Sequence, residues 1–298
     1  MNDSTRREPV VAAAQLSLRD LSETDLPVAQ RFSEQAGWPH RLSDWQSLTA
    51  LGVGRVVMCD GEIASIGQIF TWDEQAASIG LLVSDETHRG GEAETLLLRD
   101  LLARAGARSV TVHAFGHWRH TVERFGFRES GSVLQYQGRP RPAPLIAIPA
   151  GTRLRPASRA DEVLLCELDA RANGVMRERL ISAWLDQPIQ AIVLDDEESG
   201  QGVQGFAFLR RFGRGAFIGP VVATNPQLAR ALIAHLCGMA AGKFLRLDAV
   251  EHHAAPMQAW FEGLGLTCVN RVPKMTLGSL PTGASDLHTF VVAAQALG

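Results

Sequence analysis

The chain has 298 residues, of which 46% are apolar and 20% charged, and its formal net charge is -3. This length is enough for two ordinary domains or one large one, and the composition indicates a globular rather than a disordered protein. The slightly acidic charge argues against a nucleic-acid partner. The absence of an apolar run of about eighteen residues argues against a membrane span.

The cysteines and histidines form no recognisable metal or disulfide pattern. The four cysteines are Cys59, Cys166, Cys237 and Cys268. They lie far apart and form no CxxC pair, which favours reduced thiols in a cytoplasmic protein. His113, His117 and His120 make the densest histidine group, but no cysteine or carboxylate stands beside them at a standard ligand spacing, so we predict no metal site. The first ten residues are expected to be disordered.

The hydrophobic pattern of the first half predicts strands and helices in a regular order. Strands are predicted at 16–18, 53–59, 62–72, 77–84, 110–114 and 132–137. Helices are predicted at 23–36, 42–51, 92–105 and 117–125. The second and third strands form a hairpin around Asp60-Gly61, a dipeptide typical of tight turns. This order describes a mixed α/β domain, of the α+β kind, with a mostly antiparallel twisted sheet flanked by helices.

The second half repeats the first. The segment from Leu154 aligns with the segment from Leu18, and further matches in that alignment pair Arg19 with Arg155, Ser22 with Ser158, and Asp25 with Asp161. Downstream, ASIGLLVS from Ala77 matches AFIGPVVA from Ala216, and VERFGF matches FEGLGL at the same offset. Three matches in one order indicate two copies of one fold, the second with its hairpin at 191–211.

The join between the copies is predicted at residues 137–151, which contain four prolines and suit an extended linker. We therefore predict a first domain at 11–141 and a second at 146–298. These domains are called copy one and copy two below.

The element order resembles that of the GNAT superfamily of acyl-CoA-dependent N-acyltransferases. The resemblance covers nearly the whole chain and lies in AGWPHR, LLVSDETHRGGEAETLLL, VERFGF, the C-terminal tail and the tandem repeat itself. It implies transfer of an acetyl group from acetyl-CoA to a primary amine by direct attack, without a covalent enzyme intermediate. The acceptor would be a small-molecule or peptide amine, and a homodimer is possible.

The resemblance places the cofactor where the strand at 77–84 is followed by a glycine-containing loop and a helix. The positions concerned are Leu82, Val83, His88, Arg89, Gly90, Gly91, Glu92, Ala93 and Glu94. Unpaired N–H groups and the positive dipole end of such a helix suit a pyrophosphate. The loop departs from the family pattern at Arg89, where the family has glycine. Arg89 either contacts phosphate or crowds the site.

Copy two departs further from the family pattern. Its corresponding loop contains Asn225-Pro226 and no glycine before the helix, so we do not expect copy two to hold acyl-CoA in the usual way. Many relatives also carry a tyrosine acid in the segment matching VERFGF, where Val122 and Phe261 stand in the two copies. Tyr136 is the single tyrosine of the chain. The usual acid is therefore missing, although water can protonate a thiolate.

The remaining site residues are open to two interpretations. His113, at the end of the strand at 110–114, is either the base that takes the amine proton or an ordinary histidine at a strand end. Trp38, His40 and Trp45 lie between the first two helices, where the fold implies an acceptor pocket, and they either line that pocket or pack in the core. The alternative function is a catalytically inactive GNAT-fold module that binds CoA or a small metabolite.

Overall fold

The computed structural model describes residues 15–114, 116–141, 146–186, 189–196 and 202–298. The predicted disordered N-terminus and part of the predicted linker, residues 142–145, lie outside these ranges. Among the helices in these ranges, none is long and apolar enough to cross a membrane.

Copy one forms the predicted elements in the predicted order. Its strands are β1 (Leu16–Asp20), β2 (Val53–Cys59), β3 (Glu62–Thr71), β4 (Ala76–Ser84), β5 (Ser109–His113) and β6 (Arg128–Gly138). Its helices are α1 (Leu26–Gln35), α2 (Leu42–Thr49), α3 (Glu92–Ala105) and α4 (His117–Arg124). Because β4 is buried along its whole length, its sequence is apolar or small throughout rather than alternating.

Copy two repeats this order and adds elements at its C-terminal end. Its strands are β7 (Thr152–Pro156), β8 (Gln190–Asp196), β9 (Gly202–Phe212), β10 (Gly215–Ala223), β11 (Leu245–Val250), β12 (Leu266–Leu277) and β13 (His288–Val291). Its helices are α5 (Glu162–Asn173), α6 (Glu178–Asp186), α7 (Pro226–Met239), α8 (Glu251–Ala254) and α9 (Gln258–Gly263). The last residues, Gln295–Leu297, form a 3-10 turn, and the sequence did not predict this turn or β13.

The start of each copy is held by the same ion pair, as the repeat alignment predicts. In copy one, Arg19 donates to both carboxylate oxygens of Asp25 at 2.6 and 2.8 Å, and the backbone N–H of Ser22 donates to the same carboxylate. Arg155 and Asp161 repeat this arrangement at 3.1 and 2.7 Å. The Arg19 guanidinium lowers the pKa of Asp25 to about 2. The repeat is therefore one of interactions as well as of element order.

The thirteen strands of the described chain belong to one sheet, because β6 of copy one and β12 of copy two are exchanged between the copies. The order is β1-β2-β3-β4-β5-β12-β6-β11-β13-β10-β9-β8-β7. Strand β12 of copy two pairs with β5 of copy one, and β6 of copy one pairs with β11 of copy two. The two exchanged strands also pair with each other, from Leu266 opposite Gly138 to Thr276 opposite Arg128.

The two copies bury a shared core between them. This core includes Phe32 and Trp45 from the helices of copy one, and Leu180 and Phe208 from copy two. It also includes Leu297 from the 3-10 turn at the C-terminal end. Separate apolar clusters lie under α3 and under α7, so each copy keeps a core of its own as well.

We predict that the contact between the exchanged strands is intolerant of a side chain at Gly138. A β-carbon there would collide with the carbonyl oxygen of Gly265, so Gly138→Val should lower the free energy of unfolding by about 1–3 kcal/mol through overpacking. Thermal unfolding followed by circular dichroism measures this. Gly131→Val is the matched control, because no atom lies within 4 Å of the corresponding position in the same strand. Equal melting temperatures for the two variants would contradict the prediction.

Candidate active site

The parallel pair β4–β5 separates part of the way along its length. Ladder pairing ends at Ile79 opposite Val112, while β4 continues to Ser84. Just past this point, Leu81 has a left-handed φ of 54° although it is buried, a conformation that costs a residue with a β-carbon roughly 1–2 kcal/mol. In the described chain no strand pairs with this side of β4 after Ile79. The edge of β4 from Gly80 to Val83 is therefore not paired with a strand on this side, and the backbone of Ala296 packs against Gly80.

Helix α3 begins beside this cleft with its first N–H groups unused. Its N-cap is Gly91, which has no side chain to accept a hydrogen bond, and no described residue accepts from the N–H groups of Glu92, Ala93 or Glu94. The preceding Gly90 has a φ of 72°, and nothing lies within 4 Å of where its β-carbon would be. The loop thus offers free donors, a positive dipole end and room for an anion.

The loop before α3 is held in place by its own side chains. The Asp85 carboxylate accepts from the backbone N–H and the hydroxyl of Thr87, and these bonds lower the pKa of Asp85. Nδ1 of His88 lies 3.6 Å from a carboxylate oxygen of Asp85, and a guanidinium nitrogen of Arg89 lies 3.4 Å from a carboxylate oxygen of Glu86. Arg89 also lines the cavity between the two copies.

The first-turn carboxylate of Glu94 does not face this anion site. Glu94 is completely buried, with one carboxylate oxygen 2.9 Å from Nε2 of His117 and the other accepting from the hydroxyl of Thr121 at 3.3 Å. Both partners belong to α4, so the Glu94 charge is directed towards that helix. Of the two glutamates in the first turn of α3, Glu92 alone is exposed.

The equivalent place in copy two is closed in two independent ways. The Asn225 side chain caps α7 by accepting from the N–H of Leu228 at 3.0 Å, and Pro226 at the first helical position has no N–H to offer. The gap between β10 and β11, which separate after Ile218, is filled by β13. At the start of α7, therefore, only the N–H of Gln227 lacks an acceptor among the described residues, against three N–H groups in α3, and the cleft of copy two is filled.

A cavity of about 490 Å³ lies between the copies and opens onto the cleft of copy one. Its walls include Leu82 and Val83 of β4, side chains of β9 and β11 in copy two, and the turn at Gln295. Of the residues predicted for the acceptor pocket, Trp38 and His40 line the cavity. Trp45 does not line it but is fully buried in the shared core, where its indole N–H donates to the Ser33 hydroxyl at 3.0 Å.

His113 lies in the cavity wall with one ring nitrogen engaged. Its Nδ1 is 2.8 Å from the carbonyl oxygen of Gln295, which can only accept, so Nδ1 carries the proton and Nε2 carries the lone pair. Nε2 is buried and has no hydrogen-bond partner in the described chain. Burial, and then the charge of the cross-strand neighbour Lys274, lower the pKa of His113 to about 4. The ring is therefore neutral at physiological pH.

His40 is a second neutral histidine in the same wall. Its ring meets Phe212 of copy two edge-on, with centroids 5.0 Å apart, and Trp38 at 5.5 Å. Burial, and then the charge of Arg246, lower the pKa of His40 to about 4. The aromatic wall of the cavity is thus built from both copies.

Arg210 is a cavity residue that our sequence analysis missed. Its side chain lies on the same face of β9 as the buried side chains of Phe206 and Phe208. The neighbouring Arg211 is exposed on the opposite face. The sequence did contain an indication of this role, because Arg210 occupies a position in β9 where the alternation of apolar and polar residues calls for an apolar one. The turn at Gln295 gave no comparable signal, because nothing local connects it with the first copy.

Tyr136 cannot serve the cleft of copy one as an acid. It is fully buried in β6 on the copy-two side of the exchanged pair, with its ring centroid 4.4 Å from that of Phe261. Burial raises its pKa to about 12. Val122, at the position where relatives carry tyrosine, is also fully buried.

Comparisons with known proteins agree with this architecture. Residues 165–289 match the family described as acetyltransferase (GNAT) domain. No curated protein sequence matches the chain. A putative acetyltransferase from Pyrococcus horikoshii has a similar structure, with a TM-score of 0.75 and 19% identity, over 99% of this chain and 100% of that one.

Two further solved structures share the fold. A GCN5-related N-acetyltransferase from Sphaerobacter thermophilus gives a TM-score of 0.65 at 18% identity, covering 90% of this chain and 97% of its own. A tandem GNAT protein from the clavulanic acid biosynthesis pathway gives 0.64 at 15% identity, covering 88% and 98%. The tandem GNAT-like fold class expected from the sequence is confirmed.

We predict that giving α3 the cap of α7 will weaken anion binding without harming the helix. In Gly91→Asn the new side chain can accept from the free N–H groups, as Asn225 does, and should therefore weaken CoA binding at least about tenfold. Calorimetry measures the affinity, and the melting temperature should stay the same or rise. Asn225→Gly is the matched control and should leave CoA affinity unchanged. Equal affinity of Gly91→Asn and the parent would show that the loop is a plain turn.

The two neutral histidines also predict an acid-sensitive fold. Their folded pKa values of about 4 lie below the value of about 6.5 for an exposed histidine, so the unfolded chain binds more protons between these limits. Stability should therefore fall as the pH is lowered from about 6.5 to about 4. Melting temperatures at pH 7 and pH 5 test this. The drop should shrink in the double variant His40→Gln/His113→Gln and persist in His120→Gln, whose side chain is 83% exposed.

Proposed function

Since the chain consists of two GNAT-fold domains, we propose that it is an N-acetyltransferase that moves an acetyl group from acetyl-CoA to a primary amine. The observation that carries this proposal is the asymmetry between the copies. Copy one combines an open β4–β5 cleft with an uncapped helix start, whereas β13 and the Asn225 cap close both features in copy two. Copy one is therefore the catalytic copy, and copy two supplies walls of the acceptor cavity.

Residues of copy one are suited to hold the donor. The free N–H groups of Glu92, Ala93 and Glu94 would bind the pyrophosphate, with Arg89 as an adjacent cation. The unpaired edge of β4 at Leu82 and Val83 would bind the amide groups of the pantetheine arm and direct its end towards the cavity. Acetyl-CoA would supply the thioester when bound. A structure determined with acetyl-CoA soaked in would test this placement.

The cavity would hold the acceptor amine against His113. In the transfer a C–N bond forms, the C–S bond breaks, and the amine loses one proton while the thiolate gains one. Nε2 of His113 has a lone pair and no hydrogen-bond partner, and a buried acceptor without a partner is costly. An N–H group of the substrate amine would donate a hydrogen bond to Nε2. This bond would orient the amine and give its proton a destination. Because Tyr136 and Val122 are excluded, the thiolate would take its proton from water.

The proposal is tested by incubating the full chain with acetyl-CoA and a panel of primary amines, with and without an added carboxylate group. Release of free thiol that depends on the amine supports an acetyltransferase. The same panel with Gly91→Asn should show thiol release at least about tenfold lower at subsaturating acetyl-CoA. Tight CoA binding with no turnover of any amine would instead favour a GNAT-fold module that binds CoA or a metabolite without chemistry.

We predict that His113→Gln will slow the chemical step selectively. Glutamine can still donate to the Gln295 carbonyl but has no basic nitrogen, so kcat should fall about a hundredfold while KM for acetyl-CoA stays within about twofold. Steady-state kinetics with the best amine of the panel measures both constants. His120→Gln, in an exposed position of α4, is the control and should behave like the parent. An unchanged kcat in His113→Gln would mean that water removes the amine proton directly.

A further inference from the structure

Arg210 brings an uncompensated positive charge into the wall of the acceptor cavity. No carboxylate of the described chain lies within ion-pair distance of it, and its Nε is buried without a partner. One NH2 group donates to the carbonyl oxygen of Ala293 at 2.9 Å, which is its single hydrogen bond among the described residues. The other charged groups of the cavity are arranged differently. Arg246, for example, forms two bonds with Asp248 at 2.9 and 2.7 Å.

The guanidinium of Arg210 is fixed in place by aromatic rings. Its central carbon lies 3.6 Å from the centroid of the Trp184 ring and 5.3 Å from that of Phe217. The charge of Asp44 raises the pKa of Arg210, but the Asp44 carboxylate is already bound by Arg41 and by the backbone N–H of Gly213. Burial lowers the pKa of Arg210 to about 9, so it remains cationic at neutral pH. A charge kept in such surroundings is costly unless an anion approaches it.

Arg210 and His113 both form hydrogen bonds with the same short segment of chain, Ala293 to Gln295. Arg210 bonds the carbonyl of Ala293, and His113 bonds the carbonyl of Gln295. Ala294 between them is extended, with φ −170° and ψ 155°, so the two carbonyls are about 7 Å apart along the chain. Because carbonyls with this spacing hold the two side chains, we expect a ligand that reaches from the imidazole to the guanidinium to have the length of one or two amino-acid units.

We infer that the acceptor carries a carboxylate, which pairs with Arg210 while its amine lies at His113; the acceptor is an amino acid or a dipeptide-sized amine. This inference rests on the proposed acetyl transfer and names its substrate class. Arg210 supplies the planar fork that binds a carboxylate through two hydrogen bonds, since its Nε is free and Trp184 fixes its orientation. Trp38, His40 and Phe212 would then contact an apolar or aromatic side chain of the acceptor.

The test uses reaction products as binding probes, so that it does not depend on turnover. N-acetyl derivatives of glycine, alanine, leucine and phenylalanine are compared with the corresponding N-acetyl amides, using calorimetry on the full chain with CoA present. The parent should bind at least one acid about tenfold more tightly than its amide, because only the acid offers a charged acceptor to Arg210. An acid that binds no better than its amide in all four pairs, or no binding by any probe, overturns the inference.

Variants of Arg210 test whether this residue causes the tighter binding of the acids than of the amides. Arg210→Gln keeps a donor for the Ala293 carbonyl but removes the charge, and should bring acid and amide within about twofold of each other. Arg210→Lys keeps the charge and should retain part of the preference. Arg211→Gln, on the exposed face of the same strand, is the matched control and should bind like the parent. If Arg210→Gln retains the acid preference, or weakens CoA binding instead, the carboxylate site is not at Arg210.

Failure of the inference and failure of the proposed function give different results. Turnover of amines without a preference for carboxylate-bearing acceptors leaves the acetyltransferase standing and removes Arg210 as its specificity residue. An acid preference in the binding assay, with no thiol release from any amine, leaves the carboxylate site standing in a protein that binds without catalysis. Should Arg210→Gln not fold, as judged by circular dichroism, the comparison of acids and amides in the parent and in Arg210→Lys still decides the question.

Discussion

The exchange of β6 and β12 is the constraint on which the rest of the structure depends. Each strand would otherwise be the edge of its own sheet, with a row of unpaired backbone groups. Because β6 pairs with β11, and β12 pairs with β5, both rows are satisfied and the two sheets become one. The close approach of Gly138 to Gly265 follows from this pairing. The copies consequently have a fixed relative position, which a shared cavity requires.

The two copies of one fold differ at the cleft and at the helix start beside it. In both, the strand pair separates at the aligned residues Ile79 and Ile218. In copy two the gap is occupied by β13, whose backbone supplies the hydrogen bonds that a ligand would otherwise make, and the helix start is satisfied by Asn225. The chain then continues into the copy-one side, where Gln295 contacts His113. One segment thus closes the second cleft and forms part of the wall at the first.

The chemistry of the cavity follows from what surrounds it. Aromatic rings and the C-terminal backbone exclude water from His113 and His40, which makes both rings neutral. Arg210 is buried in the same cavity wall with no carboxylate partner among the described residues. A low local dielectric strengthens any interaction that such groups make with a ligand. The strained backbone at Leu81 lies at the point where cleft and cavity meet, and strain of this kind commonly persists where a ligand is bound.

The sequence by itself determined what depends on local pattern and on the repeat. Three features follow from residues a few positions apart in the chain. They are the order of strands and helices, the Arg19–Asp25 ion pair with its Arg155–Asp161 counterpart, and the contrast between the glycine loop before α3 and the Asn225 cap of α7. The individual site assignments at Gly91, His113 and Trp38 stay predictions, as does the domain boundary. Tertiary structure alone decided the strand exchange, the insertion of β13, and the placement of Arg210 and His113 in the wall of one cavity. These features depend on pairings between residues far apart in the chain, and a strand pattern carries no information on which distant edge it will join.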